Sequence, residues 1–195
     1  MISHKYKTIF IHIPKTAGTS IKSIIPPNKK DRSPHSRPSN YGHYWNTYFT
    51  FTFVRNPWDR FLSTYFYCRK MGTGKKFSRK IAKEKPDFNT FILDWFQPFH
   101  INHIHRFRPQ ISWFIHPKTE QHFTYDFVGH MENLESDMKF VLNKIGVPYS
   151  HIPKLNTTKH KNYKQYYNDK SIEKIYNLYN QDIEYFGYTF EGLKK

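Results

Sequence analysis

The stretch Thr8-Ile-Phe-Ile-His-Ile13, followed at once by Pro-Lys-Thr-Ala-Gly and then Thr19-Ser20, constrains the fold more than any other part of this chain. A short, mostly apolar run of this kind is expected as a buried strand of a parallel sheet. The loop from Pro14 to Gly18 leaves it directly, and Thr19 or Ser20 can start a helix that runs through Ile25 until Pro26 and Pro27 stop it. One strand-loop-helix unit is therefore set within the first 25 residues.

A second unit repeats the pattern. Tyr48 to Val54 predicts a strand that stops at Arg55-Asn-Pro-Trp-Asp-Arg60. There Asn56 can cap a helix, Pro57 suits its first position, and Asp59 favours the positive end of its dipole. Phe61, Leu62, Tyr65 and Phe66 give that helix an apolar face as far as about Arg69, and Gly72 and Gly74 break it within a glycine-flanked loop that carries Lys75, Lys76, Arg79 and Lys80. Further helices are expected over Phe88–Phe96, Leu134–Ile145 and Ser171–Phe186, and a third strand over Tyr125–His130. Asn28 to Asn40 is polar, basic and rich in Ser and Pro, and reads as a surface loop. The alternation predicts an α/β, P-loop-like three-layer domain with a mainly parallel central sheet flanked by helices, and 195 residues without a break in composition predict a single domain over 1–195.

In open parallel sheets ligands sit beyond the carboxyl ends of the strands, so the two loops are expected to share a crevice. The first differs from the nucleotide loop, which places its lysine just before the final Ser or Thr and after two spaced glycines; here Lys15 comes first and only Gly18 follows. Backbone N–H groups around Ala17 to Ser20 can still cradle an anion, with Lys15 adding a point charge. In the second, the forked guanidinium of Arg55 and the hydroxyl of Ser63 suit a second phosphate, although Arg55 can instead pair with Asp59 and Ser63 can bond back to its own helix. His12, inside the first strand, reads as a core residue. The 31 Lys and Arg against 15 Asp and Glu, a formal charge of +16, agree with an anionic ligand.

FIHIPKTAGTS, followed about 35 residues later by FTFVRNPWDRFLSTY, resembles the carbohydrate sulfotransferase family, in particular the heparan sulfate 2-O-sulfotransferase and chondroitin sulfotransferase group. RPQ at Arg108–Gln110, FVGHMENLESD from Phe127, and the tail from Leu155 to Phe190 extend the resemblance over most of the chain. It implies 3′-phosphoadenosine 5′-phosphosulfate as donor and 3′-phosphoadenosine 5′-phosphate as product. By position it assigns the 5′-phosphosulfate to Lys15, Thr16, Ala17, Gly18, Thr19 and Ser20, the 3′-phosphate to Arg55 and Ser63, and closure over the nucleotide to Thr158, Lys159 and Tyr163. Gly129-His130 departs from it, since relatives often carry Arg after the glycine.

Sulfuryl transfer builds negative charge on the bridging oxygen of the leaving phosphate, which a lysine stabilises more in the transition state than in the ground state. The acceptor hydroxyl must lose a proton, and His is suited to take it near neutrality. His35, where the family places a His followed by a small hydroxyl residue, is the expected base, and His43 is the second choice. Lys15 and His35 are thus the expected catalytic pair. A carbohydrate acceptor follows from the resemblance, and Lys29, Lys30, Arg32 and Arg37 beside His35 favour an anionic one. No metal is expected.

Two other classes compete. A P-loop nucleotide kinase or hydrolase would need a full Lys-Ser/Thr loop and a second, acidic metal-holding strand, which are not found. A basic nucleic-acid-binding module would explain the charge but not the paired loops, so no nucleic-acid partner is expected. The lone Cys68 cannot form an internal disulfide, and neither a signal-peptide core nor a run of about 20 apolar residues occurs, so a cytoplasmic protein without a membrane span is expected.

Overall fold

The computed structural model describes residues 1–28, 35–71, 76–148, 151–153, 155 and 161–194. In chain order its elements are β1 (Ile2–Ser3), β2 (Thr8–Ile11), α1 (Gly18–Ile24), β3 (Phe49–Val54), α2 (Pro57–Met71), α3 (Lys76–Glu84), α4 (Phe88–Thr90), α5 (Phe99–His103), β4 (Phe127–His130), α6 (Leu134–Lys144), α7 (Asp169–Tyr185), β5 (Tyr188–Thr189) and β6 (Gly192–Leu193), with short 3-10 turns between some of them. They fall into two compact units, Met1–Arg55 with Gln110–Thr157, and Asn56–Pro109 with Thr158–Lys195.

The first unit is built on a sheet of order β1-β2-β3-β4. β2 and β3 run parallel with Thr8 opposite Phe49 and Ile11 opposite Thr52, β3 and β4 run parallel with Phe51 opposite Phe127, and the short β1 pairs antiparallel with β2. The alternation Phe49-Thr-Phe-Thr-Phe53 sends phenylalanines to one face and threonines to the other. Phe10, Phe51 and Phe53 form one core with Ile21 of α1 and Met138, Val141 and Leu142 of α6. Each such fully buried side chain contributes about 1.5–3 kcal/mol relative to exposure. On the other face the Thr52 hydroxyl donates to the Ile11 carbonyl at 2.8 Å, so the polar atom is satisfied. Gly129 of β4 is needed where it stands, because a Cβ there would lie 2.4 Å from the Phe53 ring. The α/β, mainly parallel architecture is as the strand-helix alternation predicts, and the strands are shorter than expected by one or two residues at an end.

The second unit holds α2 to α5, α7 and the β5–β6 hairpin around a core that includes Trp58, Phe61, Tyr65, Phe91, Phe96 and Tyr179. Phe61 meets Phe96 edge to face at 4.9 Å. Asn56 caps α2 as expected, accepting from the Trp58 N–H at 3.1 Å, and its amide also donates to the Thr189 carbonyl. Three expectations need correction. The segment carrying Arg79 and Lys80 is not loop but part of α3, because Phe77 and Ile81 supply a helical apolar face that packs into the core; residues 72–75 lie outside the described residues. The helix expected over Phe88–Phe96 is one α-turn capped by Asp87 and then a π-helical turn over Phe91–Trp95. α7 starts two residues earlier than expected and is kinked at Tyr179 (φ −127°, ψ 23°), whose hydroxyl donates to the Phe107 carbonyl at 2.6 Å.

Candidate active site

β2 ends at Ile11, and the chain then turns through two left-handed residues, Lys15 at φ 72° and Ala17 at φ 59°. Non-glycine residues adopt this conformation only under constraint. Several contacts supply it. The buried Thr16 hydroxyl donates to the Ile13 carbonyl at 2.9 Å, the Ile21 N–H donates to the Ala17 carbonyl at 3.1 Å, and the Ser20 hydroxyl accepts from the Leu155 N–H at 3.2 Å. Alternating helical and left-handed residues turn successive N–H groups toward one concavity, the backbone nest that binds anions. α1 has only seven residues, so the nest and Lys15, rather than a long helix dipole, supply the positive field. The Thr16 hydroxyl spends its hydrogen on the Ile13 carbonyl, so Thr16 can offer an anion only its N–H, whereas the Ser20 hydroxyl accepts from Leu155 and keeps its hydrogen to donate, and Thr19 is exposed.

Gly18 is dictated by His12. A Cβ at position 18 would fall 1.9 Å from the His12 ring, which lies half-buried against the loop. His12 is thus not the core residue expected from its place in the apolar run: β2 has ended, its ring is 4.4 Å from the ring of His35, and its carbonyl accepts from His35 Nδ1 at 2.9 Å. A carbonyl can only accept, so Nδ1 carries the hydrogen and Nε2 is the basic nitrogen of the neutral ring.

Arg55 follows β3 directly. Its guanidinium donates through Nη1 to the Lys15 carbonyl at 3.2 Å, which joins the two sequence motifs. Its backbone is clamped by Gln110, fully buried: the Arg55 N–H donates to Oε1 and Nε2 donates to the Arg55 carbonyl, both at 2.9 Å. Gln110 was visible beforehand only as the end of the RPQ string, with no local signal for this function.

The remaining expected residues are distributed as follows. Ser63 is buried on α2 in the second unit, and the hydroxyl of its neighbour Thr64 bonds back to the helix, at the Arg60 carbonyl. Tyr163 opens a 3-10 turn in the second unit and donates to the Phe190 carbonyl at 2.5 Å. Thr158 and Lys159 lie outside the described residues, as do Lys29, Lys30 and Arg32. His43 is exposed in the 3-10 turn over Gly42–Asn46 that leads to the start of β3, with its ring against Tyr44 at 4.0 Å. Arg37 donates to the Ser112 carbonyl and lies over the Trp113 ring at 5.8 Å. Among the described residues no group of three or more His, Cys, Asp and Glu is placed to hold a metal, and no helix is long and apolar enough to cross a membrane.

A strand-nest-helix unit beside an arginine at the end of the adjacent parallel strand is suited to holding an anion, and the comparisons with known proteins give the family. The sulfotransferase family model matches residues 1–189, and the chain belongs to that family. It is 24% identical to carbohydrate sulfotransferase 10 of Xenopus laevis over 237 aligned positions, covering 96% of this chain and 66% of that protein. It is 30% identical to an uncharacterized protein of Archaeoglobus fulgidus over 118 positions, 60% of this chain and 84% of that one. No solved structure matches. The chain is accordingly an enzyme of the sulfotransferase class.

Proposed function

We propose that this chain transfers a sulfuryl group from 3′-phosphoadenosine 5′-phosphosulfate to a hydroxyl of a carbohydrate, in particular one that already carries negative charge, without a metal ion. The observation that carries the reading is the Arg55 guanidinium bonded to the Lys15 carbonyl beside a left-handed nest, which brings the two motifs together for a donor with two anionic ends. In this reading the N–H groups of residues 16–20 and the Lys15 ammonium hold the phosphosulfate, and Arg55 with Ser63 holds the 3′-phosphate. Tyr163, Thr158 and Lys159 close over the nucleotide.

The acceptor oxygen forms the new bond to sulfur as the bond to the bridging oxygen breaks, and 3′-phosphoadenosine 5′-phosphate leaves. Lys15 offsets the charge that grows on that bridging oxygen. His35 Nε2 takes the acceptor proton, and the hydrogen bond from Nδ1 to the His12 carbonyl supports that tautomer. Cys68 is buried and lies in no disulfide, which suits a reducing compartment, and we assign the reaction to the cytoplasm. A donor-dependent screen of glycans, reading sulfate incorporation by mass spectrometry, tests the proposal. Sulfate transfer to small phenols or steroids but to no glycan would overturn the acceptor class, and nucleotide binding that requires Mg²⁺ would overturn the donor.

A further inference from the structure

The strongest unassigned feature of the first unit is an open groove of about 900 Å³ at the amino end of β3. It lies between the 3-10 segment that leads to Phe49 and the chain from His116 to Asp126. The candidate donor loop follows the opposite ends of the strands. Thr50 in the groove and Arg55 in the candidate active site are separated by five strand positions, about 17 Å at 3.3 Å per residue. The Thr50 end of the groove therefore lies apart from the donor loop, while Pro38 and Ser39, three and four positions after His35, also line the groove. Its volume falls in the roughly 300–1,000 Å³ range of small-ligand sites.

The walls are built rather than incidental. Trp45, half-buried, meets Tyr125 edge to face at 5.0 Å and Phe123 at 5.7 Å, and the Tyr125 hydroxyl is anchored on the Trp113 carbonyl at 2.8 Å. Asp126 is fixed on Thr50, its Oδ2 accepting from the backbone N–H at 2.7 Å and from the hydroxyl at 2.8 Å. His116 Nδ1 accepts from the N–H groups of Lys118 and Thr119, which requires the neutral ring with its hydrogen on Nε2. The lining thus combines a braced aromatic platform, a carboxylate, an imidazole N–H donor and the exposed amide of Gln121.

The charge is the deciding observation. Among the described residues that line the groove there is no lysine or arginine, in a chain that carries 31 of them. An anionic ligand would meet the Asp126 carboxylate here and no lysine or arginine among the described lining residues. A neutral sugar fits each component: its C–H face packs on an aromatic ring, and its hydroxyls donate to the carboxylate and accept from the amide and imidazole N–H groups. We propose that this groove binds a neutral oligosaccharide, at the end of β3 opposite the candidate donor loop. Such a site would hold a glycan independently of any transfer to it.

The proposal does not rest on the sulfuryl-transfer reading, because binding can be measured with no donor present. Maltohexaose, cellohexaose, chitohexaose and mannohexaose would each be titrated into the full chain by calorimetry and tryptophan fluorescence. At least one should bind saturably with Kd of about 1 mM or tighter, and Trp45→Ala should weaken it about tenfold or more. Gln121→Ala, an exposed change that leaves the walls intact, should weaken it several-fold and decides the matter if Trp45→Ala does not fold. Failure of all four to saturate by about 10 mM, or wild-type affinity in Gln121→Ala and in a folded Trp45→Ala, would overturn the proposal. So would sedimentation showing a dimer that Gln121→Ala or Trp45→Ala disrupts, since a second copy would then cover the groove.

Discussion

Arg55 Nη1 donates to the Lys15 carbonyl oxygen at 3.2 Å, so the side chain of one motif's cation is joined to the backbone of the other's across 40 positions of sequence. The bond is to the backbone, so it fixes where the guanidinium lies without consuming the Lys15 ammonium. The two cations then fail differently when removed. Lys15→Ala should lower turnover far more than it weakens nucleotide binding, because its charge is needed where charge develops. Arg55→Ala should mainly weaken binding of 3′-phosphoadenosine 5′-phosphate, by about 1.5–3 kcal/mol for a lost charge-assisted contact. Calorimetry with the product nucleotide and steady-state kinetics separate the two. Equal losses of turnover with unchanged affinity would defeat the assignment.

His35→Gln should reduce transfer about 10²–10⁴-fold, the usual contribution of a general base, while product-nucleotide affinity stays within a small factor. His43→Gln is the control and should keep most activity, since His43 lies in the turn that leads to β3. A larger effect at His43 would move the base.

The packing of Gly18 on His12 can be tested as a cycle. Gly18→Ala places a methyl 1.9 Å from the His12 ring and should lower stability by about 1–3 kcal/mol, as for other overpacked sites. In a His12→Ala background the same change should cost much less. Thermal melts of the four proteins measure the coupling. An identical penalty in both backgrounds would show that the ring is not the reason for the glycine.

His100 gives the chain a pH-dependent stability. Burial pushes its pKa below the usual histidine value, with His103 nearby acting in the same direction, and together they outweigh the hydrogen bonding to Gln97. The unfolded chain then holds the proton more tightly than the folded one. The contribution is complete above the unfolded value of about 6.5 and is lost as pH falls from there through the lower folded value. His100→Gln should flatten the fall in Tm between about pH 7.5 and pH 5 in this window. Parallel Tm curves for the two proteins would count against it.

Gln110→Ala removes both bonds of the clamp, the one from the Arg55 N–H and the one to the Arg55 carbonyl, at about 0.5–1.5 kcal/mol each. Gln110→Glu retains the acceptor but loses the donor, so it should be intermediate. Melts of both variants rank them, and a reversed order would exclude the two-bond clamp.

How much of this was legible in the sequence follows from how local each signal is. The alternation of Phe and Thr in β3 and the apolar run of β2 announce their strands within six residues, and Asn56-Pro57 announces the start of α2. The Lys15 loop could be read as an anion cradle because its residues are contiguous. By contrast, Gln110 reaches Arg55 across 55 positions and His35 reaches His12 across 23, and such pairs leave no periodic trace. α3 was hidden by the glycines before it, which locally outweighed the spacing of Phe77 and Ile81. The chain from His116 to Asp126 that walls the groove likewise has no repeating pattern.

The left-handed backbone at Lys15 and Ala17 has a consequence for how this protein can change. Each such residue stores on the order of 1 kcal/mol of strain that glycine would largely relieve. Lys15→Gly would thus relax the loop while deleting the charge the proposed reaction uses most, so at this position selection for a sturdier protein and selection for a faster one pull in opposite directions. Ala17 is freer, because it offers the nest only its backbone. Improved thermal resistance, in the laboratory or in nature, should therefore be easier to reach at position 17 than at position 15.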